Sequence, residues 1–221
     1  MEINLALNVW SYGYKVTCEI NGQDVGIRSD QSSSARLMNK EHPMYAQVMK
    51  ENPKMAKNLF VLKSGSNSIT VRYEHTRPMD MDYMQASLMI NGYSLPVVLF
   101  YAKVQKSGTL EGSFDIQAKA PAKFSPLVKV DDPDGLFVFI NLGDEGGSSL
   151  KPALNGERQM STNVPGIIAL HELKPKTNTL EVEYKAGPAG MHFDVIGPKG
   201  VLTIKKPAGA QGTETFILDA A

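Results

Sequence analysis

Apolar and polar residues alternate along most of this chain. Ile3, Leu5, Leu7 and Val9 form one apolar row, and Tyr14, Val16, Cys18 and Ile20 form a second. A period of two sends alternate side chains to opposite faces of a strand, so each row predicts a half-buried strand. The parity changes inside the stretch "WSYGY", which holds the only tryptophan. A chain that switches parity around a glycine is turning, so this stretch predicts a strand–turn–strand corner with Gly13 at the bend. Tyr14 then belongs to the core of the second strand, while Trp10 and Tyr12 are left at the tip, capping a sandwich or meeting a ligand. Short strands of this kind recur to the end of the chain, among 13 prolines and 19 glycines and with few long helical periods. That combination predicts an all-β protein of antiparallel β-sandwiches, with Phe137, Phe139 and Phe216 in the core.

The strands are organised by a repeat. "LKSGSNSITVRY" (Leu62 to Tyr73) aligns without gaps on "LKPKTNTLEVEY" (Leu173 to Tyr184), sharing Leu, Lys, Asn, Val and Tyr. Each copy reads as a turn, an asparagine bonded to local backbone, and an alternating strand. Upstream, "INGQ" (Ile20 to Gln23) recurs as "LNGE" (Leu154 to Glu157), Asn-Gly being a favoured tight-turn pair. Downstream, each copy continues in two apolar runs around a glycine-containing turn and a last strand, "GSFDI" or "ETFIL". The expected organisation is two tandem domains, 1–117 and 127–221, arising from an internal repeat. The proline- and alanine-rich segment 118–126 reads as the linker.

The copies differ in length. From the Asn-Gly turn to the "LK" motif the first takes 41 residues (Asn21 to Leu62) and the second 18 (Asn155 to Leu173). The surplus corresponds to residues 30–53, an expected insertion with helical character. Met44 pairs with Val48 and Tyr45 with Met49 at i,i+4 spacing, with Asn52-Pro53 as the stop. Insertions on a repeated scaffold are common carriers of function.

Composition narrows the function classes. Lys plus Arg and Asp plus Glu number 23 each, so no basic surplus exists to neutralise phosphates and nucleic acid is not expected as a partner. No apolar run approaches the ~20 residues of a transmembrane helix. Cys18 stands alone, which excludes an intramolecular disulfide and a thiolate metal cage. The amino terminus lacks a basic n-region and reads as a strand. The chain is therefore cytosolic or a mature exported domain, with a periplasmic or secreted location slightly preferred.

The segments "VTCEINGQDVG" and "LKSGSNSITVRYE" resemble the sugar-binding jelly-roll domains of the glycoside hydrolase family that includes β-galactosidases, within the galactose-binding-like superfold. In that family too a strand ends in Asn-Gly, and a similar turn opens an alternating strand. The likeness covers some 25 residues of each domain. It implies a β-sandwich and, more faintly, a carbohydrate ligand; the barrel domain with catalytic carboxylates has no counterpart here.

Candidate chemistry is sparse. His42, His75, His171 and His192 fall in no metal-binding spacing, and there is no nucleophile elbow, P-loop or dinucleotide fingerprint. The expectation is a non-catalytic protein without a cofactor. "DDPDG" (Asp131 to Gly135) reads as a solvated turn or, alternatively, a calcium site, and "GDEGGSS" (Gly143 to Ser149) as a flexible loop. Eight of the 11 methionines lie between Met38 and Met89, consistent with core filling, a protein-contact surface or Cu(I) ligation. Binding rings are sought in turns and the insertion, which gives Trp10, Tyr12, Tyr45 and Tyr83, with Tyr93 a further ring; Met49 joins them as Tyr45's helical partner. The second copy has no Trp and only Tyr184. A sugar module duplicated for avidity would repeat its rings, so the expected function is contact with a protein partner or self-association through the first domain. Carbohydrate binding is the first alternative, and a metal-binding protein or an enzyme with an unrecognised site is the second.

Overall fold

The computed structural model describes residues 2–79, 82–90, 93–117, 124–132, 136–143, 146–171 and 173–219. It divides into two compact units, Met1–Pro133 and Asp134–Ala221. The protein is all-β, with two short helices among the described residues.

In the first unit, β1 (Asn4–Tyr12) buries Leu5, Leu7 and Val9 on one face. Gly13, at φ +78°, turns the chain, and a Cβ there would lie 2.7 Å from the Arg77 carbonyl oxygen. β2 (Tyr14–Ile20) then enters a different sheet, so one glycine carries the chain from sheet to sheet. Asn21 and Gly22, at φ +52° and +72°, make the left-handed pair of a tight hairpin into β3 (Gln23–Ser29). β4 (Ser32–Met38) returns beside β1, and α1 (Tyr45–Glu51) and α2 (Pro53–Leu59) follow. β5 (Gly65–His75), β6 (Tyr83–Ile90), β7 (Val98–Ala102), β8 (Gly108–Ile116) and β9 (Leu127–Asp131) complete the unit. The sheets run β4-β1-β6-β7-β9 and β3-β2-β5-β8. All their pairings are antiparallel except that of β7 with β9. Their facing rows, including Leu7, Tyr14, Cys18, Val71, Phe100 and Phe114, form one core.

The structure places three features differently from the sequence expectation. Residues 32–38 are a strand of the sandwich rather than part of an insertion; "SSSARLM" is too polar to advertise a strand, and its pairing with β1 makes it one. The helices fall at 45–59. Pro53 stops α1 but also opens α2, because the first position of a helix needs no backbone N–H. Residues 127–131, assigned from sequence to the second domain, pair with β7 in the first unit.

The second unit comprises β10 (Phe139–Leu142), β11 (Ser149–Leu154), β12 (Glu157–Arg158), β13 (Gly166–Ala169), β14 (Thr177–Lys185), β15 (Met191–Gly197), β16 (Gly200–Lys206) and β17 (Gln211–Asp219). Its sheets run β13-β10-β15-β16 and β12-β11-β14-β17. Counted from the start of each unit, the first eight strands occupy the same places. Its core joins Ile140, Leu150, Leu180, Val182, Phe193 and Val195.

The repeated asparagines make the same bonds in both units. Asn21 donates from Nδ2 to Asn67 Oδ1 (2.9 Å) and accepts from the Ser68 N–H (3.0 Å). Asn155 does likewise with Asn178 (2.9 Å) and Thr179 (3.0 Å), and it shares the φ of +52°. Asn67 closes its turn by exchanging bonds with Lys63 N–H and C=O at 2.9 and 2.8 Å; Asn178 does so with Lys174 at 2.7 and 3.0 Å. Asn67 and Asn178 are both buried, so these bonds satisfy polar groups that water does not reach.

Candidate functional site

Five of the six residues singled out from sequence fall into two separate groups. Trp10 and Tyr12 lie on the outward row of β1, and Tyr12 faces Tyr83 across the β1–β6 pair, ring centroids 5.2 Å apart. Tyr83 is buried and stacks on Tyr101 at 6.0 Å, so it is a packed ring. Trp10 is 44% exposed, on a sheet face rather than at a tip. Its partner on β4 is Ser32, with Ser34 opposite Asn8. Tyr45 and Met49 sit beyond the opposite end of β4, about 20 Å along the sheet at 3.4 Å per residue. There they pack on a small cluster of Met38, Ala56 and Phe60, with the Tyr45 and Phe60 rings 4.9 Å apart. Their i,i+4 pairing is used inward, to fasten the helices. Tyr93 is buried too, its hydroxyl donating to the Gln117 carbonyl at 3.1 Å.

The polar groups of the first unit are largely structural. His75 Nε2 lies 2.8 Å from Asp82 Oδ2, and the Asp82 carboxylate also accepts from the Met79 N–H. The Thr76 N–H donates to the Gly13 carbonyl at 2.8 Å, so these bonds hold the segment after β5 against the corner. Tyr14 bridges 90 residues: its hydroxyl donates to the Val104 carbonyl at 2.7 Å and accepts from the Val104 N–H at 2.9 Å. Burial pushes its pKa up to about 12. Burial raises the Cys18 thiol to about 12 as well, the state of an inert core residue. His42 sits 3.1 Å from Glu2 and accepts from the Met44 N–H. The methionines divide between core (Met38, Met84) and surface (Met44, Met55, Met79). Among the described residues no group of three His, Cys, Asp or Glu is placed to hold a metal ion. Asp131 accepts from the Tyr73 hydroxyl; residues 133–135 of its turn, and 144–145 of the glycine-rich loop, lie outside the described residues. No described helix is long and apolar enough to cross a membrane.

A cleft of about 400 Å³ lies between the Asn21 turn and the approach to the helices, with Lys40, Glu41 and Lys63 in its lining. The more apolar cavity is in the second unit. About 440 Å³ opens between the edge strands β16 and β17, lined by Leu136, Phe137, Leu173, Leu202, Phe216 and Leu218 among others. Phe137 and Phe216, expected as core rings, are thus partly uncovered at its wall. Leu202 pairs with the core residue Val195, which puts it on the inward row, yet it is 53% exposed. Phe216 and Leu218 pack on the core from β17 without being covered.

The matching seam of the first unit is closed. There the inward residues Val98 and Phe100 of β7 and Phe114 and Ile116 of β8 are buried. The covering strand is β9, which runs beside β7 and places Leu127 over Gly112, where a Cβ would collide with the leucine's Cδ2. Phe124 packs on the same core, its ring 5.2 Å from that of Tyr93. In the second unit, Phe216 faces Leu180 as Gly112 faces Ile69, so its ring takes up part of the space left for Leu127. The other end of the seam is stapled by an ion pair between Lys206 and Glu214, with the ammonium 4.8 Å from the Tyr184 ring centroid. What stays open is the half around Leu202 and Leu218.

These rows were missed from sequence. "VLTIK" and "TFIL" read as ordinary half-buried strands, and only comparison with β9 shows that nothing described covers them. Fold and site together define an all-β protein of two sandwich-like units, one sealed along its seam and one open. No protein-family model, curated protein or solved structure matches the chain.

Proposed function

We propose that the protein is a non-catalytic binding and assembly protein that holds a protein partner, with the groove of the second unit as its contact. The observation that carries this reading is the exposure of Leu202 on a row that faces the core. An apolar row left in water forgoes about 25 cal/mol for each Å² that a partner would cover, and concave apolar sites rimmed by polar groups are where partners anchor. Ile217, 63% exposed on the adjoining strand, extends the apolar surface beyond the rim. The shared strand order and the paired asparagines support an origin of both units by duplication, after which the seams diverged.

A photo-reactive benzophenone side chain at position 202 of the full chain tests the reading. The expected product is a cross-link to an identified protein, or to a second copy, whose purified form then associates in sedimentation velocity and loses that association with Leu202→Arg. A chain that stays monomeric and cross-links to nothing more often than one labelled at the exposed Asn163 would overturn it.

The second reading is carbohydrate binding, favoured by the exposed indole of Trp10 beside Ser32 and Ser34. Apolar sugar faces stack on such rings, and the resemblance to galactose-binding-like domains points the same way. Glycan-array binding that disappears in Trp10→Ala, with the circular dichroism unchanged, is the outcome this reading expects.

A further inference from the structure

We infer that the groove of the second unit is an acceptor for an extended segment of another protein chain, apolar at its anchoring positions, which adds as a parallel strand to the free edge of β16. This rests on the reading of the groove as a protein contact and names the form of the partner.

The first unit carries its own example of such a strand. β7 and β16 hold the same place in their sheets, as do β8 and β17. On β7 the outer edge is taken by β9, running parallel, with Val98 opposite Leu127 through Ala102 opposite Asp131. Backbone bonds extend the pairing at both ends, from the Leu127 N–H to the Val97 carbonyl (2.9 Å) and from the Lys103 N–H to the Asp131 carbonyl (2.8 Å). Phe124 and Leu127, three residues apart, are the side chains that it adds to the core. On β16 no described strand occupies that edge, and the cavity beneath it is apolar.

The occupant is therefore specified by what the groove lacks. Main-chain bonds to an exposed edge give affinity without sequence demands, and the side chains that enter pockets give selectivity. Because Phe216 stands where Gly112 makes room for Leu127, the unfilled space lies toward Leu202 and Leu218, the side that Phe124 takes in the first unit. One large apolar anchor there, followed by an alternating strand, meets the requirement. The Lys206–Glu214 pair bars apolar side chains from the far end, so the buried part of the segment is short. An internal β9 is held by its own chain, whereas the partner's segment must be recruited from solution.

The probe is a fluorescein-labelled peptide with the sequence of residues 124–132 but alanine at the position of Leu127, FSPAVKVDD, added to the full chain and followed by fluorescence anisotropy. Saturable binding is expected, weakened at least tenfold by Leu202→Arg and by Leu218→Arg. Leu202 is already half in solvent, so the first variant keeps its fold, which circular dichroism verifies. A second peptide with proline at the positions of Lys129 and Asp131, whose N–H groups are the ones turned to the neighbouring strand, is expected not to bind. Absence of saturable binding, indifference to both arginine substitutions, or equal binding of the proline peptide each overturns the strand-acceptor proposal. If the benzophenone chain still captures a partner that rebinds while the peptide fails, the groove binds protein in another form and only this inference falls.

Discussion

At the residue scale, Tyr14 shows how one side chain can be read twice. Its place in an alternating row marks it as core, and it is fully buried. Its hydroxyl, which the alternation says nothing about, both donates to and accepts from the Val104 backbone. Tyr14→Phe leaves two buried backbone groups without partners, at about 1–3 kcal/mol for each, or about 2–6 kcal/mol for the pair. A loss in that range, with an unchanged circular dichroism spectrum, is expected in urea denaturation. The same hydroxyl sets a pH limit. Its folded pKa of about 12 lies above the ordinary value of 10.0, so the folded state holds the proton more tightly than the unfolded one. The contribution is fully present below pH 10 and is lost as the pH rises toward 12. Tyr83, raised to about 12, and Tyr73 and Tyr101, also raised by burial, act in the same direction. Absorbance in the near ultraviolet should show tyrosinate appearing together with loss of near-ultraviolet circular dichroism, in one cooperative alkaline transition. Cys18, by the same logic, should resist thiol reagents at neutral pH until denaturant is added.

At the element scale, the chain discloses what depends on local pattern and hides what depends on neighbours. The Asn-Gly hairpin and the asparagine at the entry to the repeated strand follow from backbone chemistry that the residues carry with them. Asn67→Ala removes a buried side chain that bonds Lys63, Gly65 and Asn21, and a loss of about 2–4 kcal/mol is expected from the groups it strands. Asn178→Ala should cost a similar amount, read as a lower urea midpoint. The direction of the Tyr45–Met49 pair was not legible. Helical spacing identifies the stripe, and only Phe60 and Met38 decide that it faces inward. β4 was hidden for a related reason, because an edge strand with few apolar residues takes its identity from the strand beside it.

At the scale of the whole molecule, the all-β class was legible in the alternation of apolar and polar residues, and the boundary between the units was not. "LVKVD" follows a proline-rich stretch that looks like a linker, and no local rule says which way a strand after a linker will turn. Its allegiance is written in Gly112, the small residue that admits Leu127. Gly112→Ala should therefore destabilise the chain by about 1–3 kcal/mol through the clash. Adding Leu127→Ala should relieve part of that loss, giving a non-additive cycle in thermal denaturation. A cycle that adds simply would mean that Leu127 is not seated there.

The free edge of β16 also bears on solubility. An exposed strand edge is a template on which like chains can stack, and native proteins guard such edges with lysine and with charges turned inward. β16 ends in Lys205 and Lys206, the first exposed and the second aimed at Glu214. By that rule these two charges are expected to guard the edge against fibril growth while leaving the Leu202 end of the strand open. With Lys205→Val and Lys206→Val together, thioflavin fluorescence should rise with time and protein concentration under conditions where the parent chain stays clear.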